Sequence, residues 1–186
     1  MAKAKREIIK NRKLVDAVIE VRDSRIARSS ANPEIDDICQ NKPRLILLNK
    51  SDLSDNRITD KWINHLSSGS IKVISINSLT GSGVKSIKPA LSKLLKDKCD
   101  RLNSKGIKNY TMKVLVLGIP NVGKSSLINR ISKSSTAKVG NKPGVTKSNQ
   151  WIKTSIGIWL LDTPGILWPK FNDKETALNL SFTGAI

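Results

Sequence analysis

Residues Lys113 to Ser126 read KVLVLGIPNVGKSS. An apolar run, Val114 to Leu117, meets Gly118, and after four intervening residues Gly123-Lys124-Ser125 opens a stretch of helical pattern. The spacing G-x-x-x-x-G-K-[ST] is that of a phosphate loop. Its glycines let the backbone turn so that N–H groups converge on an anion, beside a helix N-terminus that already favours negative charge. The reading gives Asn121, Val122, Gly123, Lys124, Ser125 and Ser126 to nucleotide contact. Lys124 is expected to reach the β- and γ-phosphates, and the Ser125 hydroxyl to ligate Mg²⁺. Such a loop announces a nucleoside triphosphate without naming the base.

The base is indicated earlier in the chain. Arg44 to Leu48 reads as a strand running straight into Asn49-Lys50-Ser51-Asp52, an N-K-x-D sequence. A carboxylate such as Asp52 accepts two hydrogen bonds from the N1–H and N2–H₂ edge of guanine, a donor pair that adenine lacks. Asn49 is expected to orient the loop and the Lys50 stem to cover the base. A site built on such bonds rejects the wrong substrate by up to ~10⁴–10⁵, because its buried carboxylate would be left unpaired. A further strand, Ile71 to Ile76, ends in Asn77-Ser78-Leu79-Thr80-Gly81-Ser82-Gly83, a turn that resembles the S-A-x-x-G-x-G loop whose backbone N–H groups contact the guanine carbonyl, with Asn77-Ser78 in place of Ser-Ala.

Two motifs after the phosphate loop complete the set. Lys138 to Thr146 is punctuated by Gly140, Pro143 and Gly144 and ends in a threonine, as expected of a switch segment in which Thr146 ligates Mg²⁺ and senses the γ-phosphate. Trp151 to Ser155 and Ile158 to Leu161 read as paired strands, the second running into Asp162-Thr163-Pro164-Gly165, a D-x-x-G sequence. Asp162 is expected to hold Mg²⁺ through water and the Gly165 N–H to meet the γ-phosphate. Lys124, Thr146 and Gly165 are the candidate catalytic contacts.

Taken in order, residues 1–13 form a basic helix or arm with Ile8 and Ile9 as its large apolar residues, either lying on the domain or presenting a solvated face. Leu14 to Val21 reads as a buried parallel strand, and Asn32-Pro33 starts a helix that ends near Gln40. A polar helix is expected over Ile58 to Leu66, and Val84 to Leu95 carries apolar residues at amphipathic-helix spacing. Lys96 to Asn109 is Lys-rich, without evident apolar periodicity, and reads as a connector. The division expected is a basic segment 1–13 followed by a domain at 14–186. Within that domain, 14–95 would form a base-binding half, 96–111 a connector, and 112–186 a phosphate-loop and switch half. The fold class expected is α/β, with a mostly parallel sheet, helices on both faces and nucleotide loops at the strand C-terminal ends.

Lys and Arg total 33 against 15 Asp and Glu, a formal net charge of +18. This excess points to a polyanionic partner, nucleic acid first. Aromatic residues are only 4%, so a stacking surface for single-stranded RNA is not evident. The two cysteines, Cys39 and Cys99, form no C-x-x-C pair, and the single histidine, His65, reads as a surface residue on a helix. No apolar stretch approaches the ~20 residues of a membrane span. A cytoplasmic monomer is expected, or one in an organelle matrix if the source is eukaryotic.

In Ras-like P-loop GTPases the phosphate loop comes first and N-K-x-D late; here Asn49 precedes Gly118. A circular permutation keeps every site, because folded geometry does not depend on which loop carries the chain break. That order, with GIPNVGKSSLINR at 118–130, DTPGILWPKF at 162–171 and TGAI at 183–186, closely resembles the YlqF family of circularly permuted GTPases. The resemblance implies GTP hydrolysis coupled to late assembly of the large ribosomal subunit, with binding to the subunit precursor and ribosomal RNA. It also implies K⁺ at Asn121, which is similar to the asparagine that ligates the ion in potassium-stimulated GTPases. Family members carry a W-F-P-G-H segment before the position of Met1, whose histidine positions the attacking water, and a helical RNA-binding domain after TGAI. The chain is therefore expected to be the GTPase core of a longer protein. Where many GTPases place a water-orienting Gln after D-x-x-G, this chain has Ile166. A slow GTPase is the first expectation, and a hydrolysis-deficient GTP/GDP-sensing module that binds RNA or the ribosome is the alternative.

Overall fold

A computed structural model describes residues 2–40, 42–132, 150–163 and 173–186. Its strands are β1 (Ala17–Asp23), β2 (Arg44–Asn49), β3 (Ile71–Ser75), β4 (Lys113–Leu117), β5 (Gln150–Lys153) and β6 (Trp159–Asp162). They form a six-stranded sheet in the order β3-β2-β1-β4-β6-β5. Every neighbouring pair is parallel except β5 against β6. The strand order reverses between β1 and β4, and ligands of open α/β sheets bind beyond the strand C-termini at such a point.

The helices are α1 (Ala2–Arg12), α2 (Glu34–Cys39), α3 (Asn56–Leu66), α4 (Ile87–Leu94), α5 (Lys96–Ser104), α6 (Lys124–Ile131) and α7 (Lys174–Phe182). Strand side chains alternate between faces, and the core divides accordingly. Ala17, Ile19 and Val21 of β1, with Val114 and Val116 of β4, pack against Ile87 and Leu91 of α4, Leu127, Ile128 and Ile131 of α6, and Leu180 of α7. On the opposite face Val18, Leu115 and Leu117 meet Ile8 of α1 and Ile35 and Ile38 of α2. Beside them Ile46, Leu48 and Val73 are covered by Trp62, Ile63 and Leu66 of α3. Both faces of the sheet therefore carry helices, as the near-continuous apolar runs of β2 and β4 require.

Several elements differ from their sequence expectation. The first strand starts at Ala17 and runs to Asp23, leaving Leu14 largely exposed. Asp16, just before it, accepts from Lys98 Nζ, from Tyr110 OH at 2.9 Å and from the Lys113 N–H at 2.7 Å. Strand β3 is half-buried rather than buried, because it lies at the sheet edge. The helix expected over Val84 to Leu95 begins as a short 3₁₀ turn, Val84–Ser86, before α4. Lys96 to Asn109 is not a plain connector: α5 occupies most of it and ends before Gly106, whose φ is +80°. Leu95, just before α5, is buried in the core and Cys99 packs against that core, while Leu102 is half-buried. Helix α1 docks by one side, with Ile8 fully buried, Ile9 exposed and Arg12 Nη1 donating to the Ile38 carbonyl at 3.2 Å.

Candidate functional site

The loops that follow β2, β3 and β4 converge on a cleft of about 360 Å³. It is lined by Asn49, Lys50 and Asp52 after β2, by Asn77 and Ser78 after β3, and by Asn121, Gly123, Lys124, Ser125 and Ser126 of the phosphate loop. Val122 lies buried behind this wall. A larger hollow of about 620 Å³, bordered by residues of 67–74 and 90–97, carries none of these groups. Chemistry rather than size selects the smaller cleft. Thr146, Gly165 and Ile166 lie outside the described residues, as does the whole switch segment from Lys138 to Thr146.

Asn49, which is almost completely buried, joins the two sides of the cleft. Its Nδ2 donates to the Val122 carbonyl at 2.7 Å, and its Oδ1 accepts from the Ser78 N–H at 2.9 Å. The loop after β2 is thereby tied to the phosphate loop and to the turn after β3. Gly123 permits this contact, because a Cβ there would stand 2.2 Å from Asn49 Nδ2. Its φ of +97° also falls where side chains are disfavoured. From α6, Arg130 Nε donates to the Ser78 carbonyl at 3.2 Å, a second tie across the cleft.

The turn after β3 is built around Asn77, whose Oδ1 accepts from the N–H groups of Leu79 at 2.8 Å and Thr80 at 3.0 Å. With Ser78 N–H held by Asn49, the N–H groups of Ser78, Leu79 and Thr80 all have partners within the protein. The Ser78 hydroxyl has no hydrogen-bond partner among the described residues.

Lys124 is buried, and its Nζ donates to the carbonyls of Gly118 at 3.0 Å and Ile119 at 2.9 Å, folding back over its own loop. Burial pulls its pKa down to about 8, against the opposing influence of the Asp162 charge. Asp162, at the end of β6, pairs in register with Val116 of β4, so the D-x-x-G and phosphate-loop strands are neighbours. Thr163 Oγ1 pins the start of the next segment by donating to the Val116 carbonyl at 2.7 Å. Asn121 has a φ of +58°, and its Nδ2 donates to the Gly184 carbonyl at 2.5 Å. A carbonyl accepts only, so this bond fixes the amide orientation and turns Oδ1 away from Gly184.

The sequence reading missed a group at the end of β1. Asp23, 2% exposed, accepts from Arg25 N–H at 3.1 Å, Arg25 Nε at 2.9 Å and Arg25 Nη2 at 2.7 Å. Its Oδ2 also lies 3.0 Å from Lys50 Nζ. Burial alone would raise the Asp23 pKa, but the hydrogen bonds from Arg25 and Lys50 outweigh it and hold the carboxyl below its ordinary value. The signal available was position: an acidic residue at the C-terminal end of a central parallel strand. His65 is exposed on α3 with its ring edge-on to Trp62, and Cys39 and Cys99 form no disulfide. No helix among the described residues is long and apolar enough to cross a membrane.

Comparison with known proteins agrees with this geometry. Residues 113–185 match the family described as 50S ribosome-binding GTPase. The whole chain aligns at 50% identity with ribosome biogenesis GTPase A of Bacillus licheniformis, covering 66% of that protein. Mitochondrial ribosome-associated GTPase 1 of Bos taurus is 34% identical over the whole chain, which covers 58% of its length. The solved structure of GNP-bound YlqF from T. maritima superposes with a TM-score of 0.66 at 30% identity, over 99% of this chain and 66% of that one. The chain thus spans about two thirds of the length of its bacterial relatives. With N-K-x-D on β2, the phosphate loop after β4 and this likeness along its whole length, the chain belongs to the circularly permuted GTPases that include ribosome biogenesis GTPase A, or YlqF.

Proposed function

We propose that this chain binds GTP and GDP, hydrolyses GTP slowly, and acts in late assembly of the large ribosomal subunit. The observation that carries the reading is the Asn49 bridge, which sets the N-K-x-D loop and the phosphate loop against one cleft. In this reading Asp52 accepts from the guanine N1–H and N2–H₂ edge, and the Lys50 stem covers the base. The Ser78 hydroxyl is the donor left on that wall for the base carbonyl. Asn77 holds the turn in place. Backbone N–H groups from Asn121 to Ser126 surround the phosphates, and Lys124 leaves its own loop carbonyls for the β- and γ-oxygens.

The residues present suit a hard cation beside those phosphates. Ser125 lines the cleft, and Asp162 is near enough to influence the Lys124 charge. Ser125 and Asp162 would hold Mg²⁺, with Thr146 from the switch segment, and the ion would neutralise charge developing on the transferred phosphoryl group. Gly165 N–H would meet the γ-phosphate, and Asn121 Oδ1 would ligate K⁺. The partners proposed are the large-subunit precursor and its RNA, which the +18 charge would favour. The chain would work as a monomer in the cytoplasm, or in an organelle matrix if the source is eukaryotic.

Ile166 favours a second reading, a nucleotide sensor that barely hydrolyses, since an apolar side chain cannot orient water. Single-turnover hydrolysis of GTP in K⁺ and Mg²⁺, with and without large ribosomal subunits, separates the two. Slow turnover is expected, with little acceleration by subunits. Strong stimulation by subunits would contradict this, and complete absence of turnover would favour the sensor.

A further inference from the structure

Lys50 stands in a conformation that needs support. Its φ of +61° and ψ of +39° place a long side chain in the left-handed region, where residues with a Cβ are uncommon. Two consecutive residues at the end of β1 hold it from opposite ends. The Ser24 hydroxyl donates to the Lys50 carbonyl at 2.9 Å, and the Asp23 carboxylate takes its ammonium at 3.0 Å. Asp23 is itself fixed by the fork of Arg25 and by its own N–H donating to Ser30 Oγ at 3.1 Å. Both Ser24 and Asp23 are buried, so neither interaction is a solvent-screened surface pair. The register completes the arrangement, since Asp23 pairs with Asn49 across β1 and β2.

We infer that Asp23 and Ser24 are positioning residues for nucleotide binding, acting through Lys50 to preform the wall of the cleft that covers the base. The inference rests on the guanine-nucleotide reading above. With both ends of Lys50 held, its four-carbon stem is set before ligand arrives, and the rotamer entropy of ordering it is not charged to binding. The carboxylate holds the ammonium at the end of β1, while Asp52 has the Arg25 charge for a neighbour. The phosphates are held by other residues, so the contribution is the same for a di- and a triphosphate.

A double-mutant cycle tests this. Lys50→Met keeps an apolar stem and removes the ammonium; Asp23→Asn keeps the shape and removes the charge. Dissociation constants for ribose-labelled GDP and GTP would be measured with Mg²⁺ for the parent chain, each single variant and the double variant, alongside thermal unfolding. Asp23→Asn is expected to weaken GDP and GTP equally, by about tenfold, which is ~1.4 kcal/mol. The double variant is expected to bind no worse than Lys50→Met alone, because the first residue acts only through the second. Multiplying effects, or an unchanged affinity in Asp23→Asn, would overturn the inference. If Asp23→Asn does not fold, the same cycle is run with Ser24→Ala, and unchanged affinity there overturns it equally. A parent chain that binds no GDP would instead refute the guanine-nucleotide reading itself, so the two failures are distinct.

Discussion

At the scale of single residues, the account depends most on Asp52. Its neighbours show why an exposed carboxylate can be selective: Asn49 and Lys50 on the same loop are locked, so Asp52 projects from a fixed base into the cleft. Asp52→Asn replaces a double acceptor by an amide with one acceptor and one donor. It is expected to weaken GTP binding by at least ~10² and to favour xanthosine triphosphate, whose edge carries a carbonyl where guanine has an amine. Titration with both nucleotides checks this, and equal GTP affinity in variant and parent would remove Asp52 from the base site. The motifs stood out because each is a fixed spacing along the chain, and the structure brings Asn49, Lys50, Asp52, Asn77, Ser78 and the phosphate loop to one cleft. Asp23, Ser24, Arg25 and Arg130 did not stand out, because each acts across strands or between halves, at separations such as Asp23 to Lys50 that no local pattern marks.

At the scale of elements, the joint between the two halves is a built structure. Lys98 of α5 and Tyr110 and Lys113 at the start of β4 all converge on Asp16, which precedes β1. The carboxylate thus clamps the connector to the foot of the central strand, and Lys98 lies 5.5 Å from the Tyr110 ring centroid. Asp16→Asn leaves one amide oxygen to serve donors that now share two, beside a cation that loses its partner. It is expected to destabilise the fold by ~1–3 kcal/mol, read as a lower urea midpoint at unchanged m value. An unaltered midpoint would show the clamp to be ornamental. This helix was hidden in the sequence because none of its own residues is buried, and Cys99 alone packs partly on the core amid the polar run KDKCDRLNS. The apolar runs of β2 and β4 suffered no such ambiguity: strands buried on both faces advertise themselves. Edge strand β3 carries the same kind of residues with one side open, and composition alone could not show that.

At the scale of the whole molecule, the permutation and the charge are the two features to explain. The core on one face of the sheet takes residues from Ala17 through Leu95 and from Met112 through Ala185, so both halves fold around common apolar contacts. The cleft follows the same logic, with the loops after β2 and β3 on one side and the phosphate loop after β4 on the other. The charge of +18 is expected to make association with ribosomal particles fall steeply with salt, as counterions are released from phosphate contacts. Neutralising Lys3, Lys5, Arg6 and Lys10 together should flatten that slope, and an unchanged slope would return α1 to a purely structural role. The most direct test of the central claim, one guanine-specific cleft assembled from both halves, is a side-by-side titration of the chain with GTP and ATP in Mg²⁺. The account predicts saturable GTP binding and a preference over ATP approaching ~10⁴; equal affinity for the two nucleotides would contradict it.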